Sequence, residues 1–326
     1  PIAHRKALYH ARGTRTDLDA IIDHTLSSMR TNHHKFAYAP EEVHNPAPLI
    51  HQMRAIKDEH ELTLMRTSCS IAAKAHALAM AHTRTGLEEY QIQALIEFHF
   101  QYNGATAPAY ETIVAGGNNA NILHYTENKA TLKDGDLLLV DAGCEYNYYA
   151  SDITRTWPVS GKFSPEQRDL YQAVLSLQQE LIDACAKHPT FEEISNLYAL
   201  RSVELLKDLG VLKGDTEDIL AKKSHKLYSP HGFGHWLGID VHDTSPYYNA
   251  QGSVQLSPGH VLTIEPGLYI PLESEHVPAG LRGQGVRIED DILITHNGVE
   301  VLTHECPKSI HDIEAITGTK KDTFTI

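Results

Sequence analysis

Residues 140–161 of this 326-residue chain read VDAGCEYNYYASDITRTWPVSG and continue an apolar run that precedes them. Asp141 therefore stands at the end of a predicted buried strand, and Asp152 follows eleven residues later. If the flanking strands form a hairpin around residues 143–147, the two carboxylates converge on one face. Two carboxylates that close repel each other, which favours a cation between them. The alternative, in which Asp141 caps a turn and Asp152 pairs with Arg155, stays open here.

A second stretch, residues 229–243, reads SPHGFGHWLGIDVHD and places three histidines within twelve residues. Its glycines allow the backbone to approach a ligand closely, and they disfavour a helix. A lone histidine in such a setting is more often structural, but three together favour a binding or catalytic site. We therefore take His231, His235 and His242 as candidate site residues.

Two glutamates stand in apolar, strand-like segments further along the chain. Glu265 ends the β-branched run of LTIEPGLYI at residues 262–270, directly before a Pro-Gly turn. Glu289 lies within GVRIEDDILITHNGVEVLT at residues 285–303, and strand alternation puts Arg287 on the same face. Both glutamates are candidate ligands. An edge strand with its charges in solvent is the alternative for the second segment.

The candidate ligands share one chemical character. They are Asp141, Asp152, His235, Glu265 and Glu289. Hard oxygen donors with one imidazole suit Mn²⁺, Co²⁺, Fe²⁺ or Zn²⁺ better than they suit thiolate chemistry. Four carboxylates exceed what one divalent ion needs, whereas a two-metal site uses them all and generates a hydroxide nucleophile at neutral pH.

Helix and strand signals occur in two similar rounds after residue 54. The predicted elements are helices at 58–82, 85–103, from 164 and 190–210, and strands at 112–115, 137–141, 146–156, 260–265 and 286–295. Asp58 with Glu61, and Thr85 with Glu88, have the spacing of reciprocal helix caps. Two helices followed by strands, repeated once, predict a duplicated α+β unit, although any α+β protein of this size can alternate in this way.

Residues 1–53 predict a different, smaller unit. Residues 7–9 favour a short strand and residues 16–30 a helix, after which prolines at 40, 46 and 48 are expected to break regular structure. Some fifty residues with little apolar content make a marginal independent domain. We expect the remnant of an N-terminal α/β domain with a linker, followed by a catalytic domain at 54–326.

Composition excludes several classes of protein. The chain has 28 Lys and Arg against 42 Asp and Glu, a net charge of −14, which disfavours nucleic acid as a partner. No run approaches 18 apolar residues, and the first residues have no signal-peptide pattern, so no membrane association is expected. The cysteines at 69, 144, 185 and 306 stand far apart, which is typical of reduced thiols in a cytoplasmic protein.

The four quoted segments resemble the M24 metallopeptidases, the family of aminopeptidase P, prolidase and methionine aminopeptidase. The resemblance extends over residues 54–318, approximately. It implies the pita-bread fold, in which duplicated ααββ units related by a pseudo-two-fold axis place a curved antiparallel sheet around a dinuclear metal site.

The resemblance implies a role for each candidate ligand. Asp141 would chelate one metal ion, and Asp152 and Glu289 would bridge both ions. His235 and Glu265 would bind the other ion. Glu265 would also shuttle the proton of the bridging water.

Five further residues match supporting positions in the family. His124 corresponds to a histidine that contacts the substrate. His231 and His242 correspond to the pair that orients the scissile peptide and steadies the tetrahedral intermediate. Tyr269 and Arg287 correspond to residues behind the ligands, the arginine close to a bridging carboxylate.

Within the family, the HWLG and RGQGVRIEDD runs are most similar to aminopeptidase P, which removes a residue that precedes proline. Prolidase, which cleaves Xaa-Pro dipeptides, is the alternative because the ligand motifs are shared. A non-catalytic peptide-binding module is disfavoured because all five ligand positions are intact. The resemblance also implies two divalent ions, Mn²⁺ foremost, a peptide substrate that begins Xaa-Pro, and a dimer or tetramer weakened by the reduced N-terminal domain.

Overall fold

The computed structural model describes residues 2–31 and 38–320, and the chain divides into an N-terminal and a C-terminal unit after Arg54. The elements of the N-terminal unit are β1 (Ala7–Tyr9), α1 (Thr16–Thr31), β2 (Glu42–His44) and α2 (Ala47–Ala55). Strands β1 and β2 pair in parallel, with Ala7 opposite Glu42. The predicted strand and first helix are both present; the identity of this unit as a domain remnant stays a prediction.

The expectation that three prolines exclude regular structure was wrong. Strand β2 lies between Pro40 and Pro46, and α2 has Pro48 in its first turn. Proline is tolerated there because its missing N–H would have no partner within the helix. The Asn45 side chain accepts a hydrogen bond from the Ala47 N–H at 3.0 Å, which helps to start the helix.

Two helices open the C-terminal unit, namely α3 (Glu59–His82) and α4 (Glu89–Tyr102). The capping box predicted for α3 is present. The Asp58 side chain accepts the backbone N–H of Glu61, and the Glu61 side chain accepts the backbone N–H of Asp58. Helix α4 does not start at Thr85 as predicted. The Gln91 side chain accepts the Glu88 N–H at 2.9 Å, and this reciprocal cap starts the helix later.

The strands that follow build the first half of the site. They are β3 (Ala107–Pro108), β4 (Ile113–Gly116), β5 (Leu137–Asp141), β6 (Cys144–Tyr146), β7 (Tyr149–Ala150) and β8 (Thr154–Pro158). Strand β5 lies between antiparallel β4 and β8, with Asp141 opposite Thr154. The hairpin predicted from the sequence is therefore present, but its second strand is interrupted. At the interruption a Cβ on Gly143 would lie 1.7 Å from the Ser151 carbonyl oxygen, so only glycine allows this approach.

A second round of helices and strands completes the unit. Its elements are α5 (Pro165–Cys185), α6 (Phe191–Asp208), α7 (Thr216–Ala221), β9 (Tyr248–Asn249), β10 (Gly252–Ser253), β11 (Val261–Ile264), β12 (Gly267–Ile270), β13 (Gln284–Arg287), β14 (Asp290–Thr295), β15 (Gly298–Val301) and α8 (Ile310–Ile316). Ser164 and Thr190 cap α5 and α6 as predicted. The strand predicted at 286–295 is two strands with different partners, since β13 pairs with β12 and β14 with β11. Glu289 lies in the break between them.

A buried ion pair joins the two rounds. Arg155 on β8 donates to Asp290 on β14 at 2.6 Å, and both side chains are fully buried. Burial alone would raise the pKa of Asp290, but Arg155 and Lys308 outweigh it and lower that pKa to about 2. Arg155 is thus the partner of Asp290, and the alternative that it neutralises Asp152 was wrong.

Both rounds bury one shared apolar core. Its largest cluster includes Phe100 of α4, Trp157 of β8, Tyr171 of α5 and Val286 of β13. Helices followed by antiparallel strands occur twice, which confirms the predicted α+β architecture, although the second round contains an additional short helix, α7, that was not predicted. All four cysteines are free and buried. None of the helices within residues 2–31 and 38–320 is long and apolar enough to cross a membrane.

Candidate metal centre

The ends of β5, β11 and β13 meet at a cavity of about 610 Å³. Nine of the ten predicted site residues line it, namely His124, Asp141, Asp152, His231, His235, His242, Glu265, Arg287 and Glu289. The tenth, Tyr269, is buried behind the wall and touches two of the nine. The cavity therefore brings together side chains from both rounds of the fold.

One phenol links the two aspartates. The Tyr110 hydroxyl lies 2.6 Å from Asp141 Oδ1 and 2.6 Å from Asp152 Oδ1. A hydroxyl has a single proton, so it can donate fully to only one carboxylate at a time. The Asp152 side chain is almost completely buried, and its backbone N–H donates to Asp291 at 2.9 Å. The two aspartates are thus fixed side by side.

Asp152 also belongs to a second group of donors. Asp152, His235 and Glu289 offer ligand atoms that all lie within 4.8 Å of one another. His235 Nδ1 lies 3.1 Å from the Trp236 carbonyl oxygen, which accepts its proton. In the neutral ring Nε2 is then the lone-pair nitrogen, and it lies 3.4 Å from Asp152 Oδ2 and 3.7 Å from Glu265 Oε1. This is the orientation that metal-binding histidines adopt.

Arg287 is the fixed cation in the cavity wall. Its Nη2 donates to Asp141 Oδ2 at 2.6 Å, and its Nη1 donates to the Tyr269 hydroxyl at 2.7 Å. Its Nε donates to Thr154, whose own hydroxyl donates to Glu289 Oε2 at 2.7 Å. One guanidinium therefore orients a carboxylate, a phenol and a hydroxyl, and through Thr154 it also orients Glu289.

This network fixes the tautomer of His231. Arginine has no acceptor, so the Tyr269 oxygen accepts from Arg287 and the Tyr269 hydroxyl donates to His231 Nε2, 2.7 Å away. The ring proton is then on Nδ1, which lies 2.7 Å from the Gly232 carbonyl oxygen and 3.5 Å from Glu265 Oε2. Burial and the nearby Arg287 lower the pKa of His231 to about 3, so this imidazole is neutral.

The charges of the cavity are mutually unfavourable without a cation. Burial and neighbouring carboxylates raise the pKa of Glu265 to about 7, raise that of Glu289 well above its usual range, and raise that of Asp152. Burial alone would lower the pKa of His235, but the Asp152 carboxylate outweighs it and raises that pKa to about 9. A divalent cation would relieve this repulsion, and oxygen donors with one oriented imidazole fit such an ion.

Sequence reasoning missed Tyr110 and Thr154. Tyr110 lies two residues before Thr112, where a strand was predicted to begin, so its place near a strand end was the available signal. Thr154 lies two residues after Asp152, so strand alternation in the segment predicted at 146–156 would have put both on one face. Neither residue is a candidate metal ligand by its type. Each acts by orienting carboxylates, and those carboxylates are mostly distant in the chain.

A model of metallopeptidase family M24 matches residues 63–296, and the chain belongs to that family. The chain is 42% identical over 309 residues to the Xaa-Pro aminopeptidase of Escherichia coli strain K12, across 95% of this chain and 70% of that protein. Among solved structures, the Pseudomonas aeruginosa aminopeptidase PepP superposes with a TM-score of 0.92 at 42% identity, over 97% of this chain and 71% of that chain.

A second solved structure is zinc-substituted E. coli aminopeptidase P in complex with product. It superposes with a TM-score of 0.90 at 41% identity, over 98% of this chain and 73% of that chain. These likenesses confirm the predicted pita-bread fold and the predicted resemblance to aminopeptidase P.

The two glycines of the HGFGH motif differ in the space available for a side chain, so the same substitution at each position gives a matched test. A Cβ on Gly234 would lie 1.9 Å from the Thr263 carbonyl oxygen, whereas the nearest atom to a Cβ on Gly232 is 3.9 Å away. We expect Gly234→Ala to reduce the free energy of unfolding by about 1–3 kcal/mol. Gly232→Ala should change it by less than ~0.5 kcal/mol. Urea unfolding of the metal-free protein measures both values, and equal losses would contradict the packing argument.

Removal of the Tyr110 hydroxyl should loosen the two aspartates. We expect Tyr110→Phe to weaken metal binding about 10- to 100-fold, as is typical for the loss of a group that orients ligands. Titration calorimetry with Mn²⁺ measures the affinity. Tyr102→Phe, at an exposed tyrosine of α4, is the matched control and should bind as the unaltered protein does. Unchanged affinity of Tyr110→Phe would show that the phenol does not orient the aspartates for metal.

Proposed function

We propose that this chain is a metal-dependent aminopeptidase that releases the N-terminal residue from peptides with proline in second position. The observation that carries the proposal is the convergence of four carboxylates, one oriented imidazole and three further histidines in one cavity of an M24 fold. The names of the similar proteins, Xaa-Pro aminopeptidase and aminopeptidase P, favour this activity over the prolidase alternative. The intact donor set disfavours a non-catalytic peptide-binding module.

The proposed cofactor is a pair of divalent ions, Mn²⁺ foremost. The position of Asp152 supports two ions rather than one. This carboxylate lies beside Asp141, and it also belongs to the separate group of donors formed with His235 and Glu289. Glu265 would complete the second group, since its Oε1 lies 3.7 Å from His235 Nε2. Four ionised carboxylates balance the charge of two divalent ions. A donor set of oxygens and one imidazole suits Mn²⁺.

The reaction is hydrolysis of the peptide bond before proline. Divalent ions, when bound, acidify water and polarise the scissile carbonyl. Glu265 would receive the proton of the attacking water and return it to the leaving proline nitrogen, acting first as general base and then as general acid. Its Oε2 lies 3.5 Å from Nδ1 of the neutral His231 imidazole, which stands beside the carboxylate in the cavity wall.

His242 is the histidine we propose as donor to the developing oxyanion. Its ring lies against that of His235, with 4.4 Å between centroids, and burial lowers its pKa, so the imidazole is neutral. A neutral N–H can donate to the negative charge of a tetrahedral intermediate. His124, also on the cavity wall, would contact the peptide.

Assembly and cellular location stay proposals. A homo-oligomer is supported by apolar side chains that the N-terminal unit exposes, namely Ile21, Leu49, Ile50 and Met53. Three of the four lie within five residues on α2, and exposed apolar surface marks interaction sites in many soluble proteins. The predicted cytoplasmic location follows from the composition alone.

Paired substrates test the proposed activity. With Mn²⁺ added, the protein should hydrolyse an Xaa-Pro-Xaa tripeptide faster than the matching Xaa-Pro dipeptide. Asp152→Asn should reduce turnover to background because it removes the carboxylate shared by both donor groups. Asp218→Asn, at an exposed carboxylate of α7, is the control and should keep full activity. Cleavage of the dipeptide alone would indicate prolidase, and cleavage of neither substrate by metal-loaded protein would refute the proposal.

Metal binding should release protons to an extent that depends on pH. In the metal-free site the pKa of His235 is raised to about 9 and that of Glu265 to about 7, so at pH 6 both groups hold protons that a bound ion displaces. At pH 8 Glu265 has already lost its proton. We therefore expect affinity for Mn²⁺ to rise from pH 6 to pH 9, with greater proton release at pH 6 than at pH 8. Calorimetry in buffers of different ionisation enthalpy measures the release, and equal release at both pH values would contradict the assignment.

A further inference from the structure

We propose that Lys57 and Asp243 form a buried ion pair that positions His242 for the reaction. Both are positioning residues, since neither lines the cavity. The inference rests on the proposed function, because it takes His242 as a donor to the reacting peptide. It assigns a purpose to a lysine that lies outside every motif of the sequence.

His242 has no anchor of its own. Its ring contacts the ring of His235, and within the described part of the chain its side chain makes no hydrogen bond. Its side chain is exposed to the cavity rather than packed in the core. The position of the imidazole is therefore set by the backbone of the segment that holds it, residues 236–243.

That segment is an irregular loop with few backbone hydrogen bonds. The Leu237 N–H donates to Val261 of β11 at 3.1 Å, and the Ala150 N–H donates to the Gly238 carbonyl at 2.9 Å. These bonds fix the beginning of the loop. At its end, the Asp243 N–H donates back to the Trp236 carbonyl at 3.0 Å. Asp243 thus closes the loop directly after His242.

The Asp243 side chain connects the end of this loop to a buried lysine. Its Oδ2 lies 3.2 Å from Lys57 Nζ, and each side chain is only 1% exposed. The carboxylate fills the inside of the loop, since a Cβ on Gly238 would lie 2.4 Å from Asp243 Oδ2 and 3.1 Å from Lys57 Cε. The lysine and the loop are therefore packed as one unit.

Lys57 is itself held firmly. Its backbone N–H donates to the Gly259 carbonyl at 2.9 Å, two residues before β11, and the next residue is Asp58, the cap of α3. An ion buried without its partner is strongly unfavourable. A shift of the loop away from Lys57 would break this buried ion pair, so the pair holds the loop, and with it His242, in place over the cavity.

A double-mutant cycle tests the inference on the metal-loaded full chain. We expect Lys57→Met to lower kcat by about 10- to 100-fold, as a misplacement of the order of 1 Å does. His242→Ala should also lower kcat, and the variant with both changes should be no slower than His242→Ala alone. Lys222→Met, at an exposed lysine paired with Asp218, is the matched control and should keep full activity.

A second readout does not depend on turnover. The imidazole nitrogen resonances of His242 in the metal-free protein should shift in Lys57→Met and stay unchanged in Lys222→Met. If Lys57→Met does not fold, Lys57→Met combined with Asp243→Asn removes both charges, and this variant should fold and still have the reduced kcat.

The outcomes separate the inference from the function on which it rests. Losses from Lys57→Met and His242→Ala that multiply would show that Lys57 acts on something other than His242. An unshifted His242 resonance, or full kcat in the doubly neutral variant, would also overturn the positioning role. Full activity of His242→Ala would instead refute the proposed function of that histidine.

Discussion

Four carboxylates that lie in one buried cavity repel one another, and the rest of the site is arranged to reduce that repulsion. Arg287 donates to Asp141, the single proton of the Tyr110 hydroxyl is available to either Asp141 or Asp152, and Thr154 donates to Glu289. Burial, together with the neighbouring carboxylates, still raises the pKa of both glutamates, so these donors only partly stabilise the ionised carboxylates. The metal-free fold therefore favours binding of a cation, because the packing of the surrounding core holds the carboxylates close together.

Both rounds of the fold contribute carboxylates to the cavity. Asp141 and Asp152 come from the first hairpin, and Glu265 and Glu289 come from breaks between strands of the second round. The ion pair of Arg155 with Asp290 locks β8 against β14 directly behind the cavity. Because each round supplies two carboxylates, neither half could form the site alone, and the spacing of the ligands depends on the contact between the halves.

Local sequence signals predicted the starts of α3, α5 and α6 and identified the candidate ligands that line the cavity, since a cap or a carboxylate at the end of an apolar run is defined by near neighbours. The errors occurred where distant residues decide the structure. Arg155 pairs with Asp290, 135 residues away, and Tyr110 reaches Asp152 across 42 residues. Strand periodicity likewise could not show that Glu289 lies in a break, because the change of partner strand that causes the break is a tertiary event.

The burial of the four cysteines affects how the protein can be handled and probed. Burial raises the pKa of each thiol, to about 11 for Cys306 and about 12 for Cys185, so the thiolates that react with alkylating reagents are scarce at neutral pH. The native thiols of the folded chain should therefore react only slowly with alkylating reagents. A single cysteine introduced on an exposed helix would accept a spin label or fluorophore alone, without removal of the native thiols.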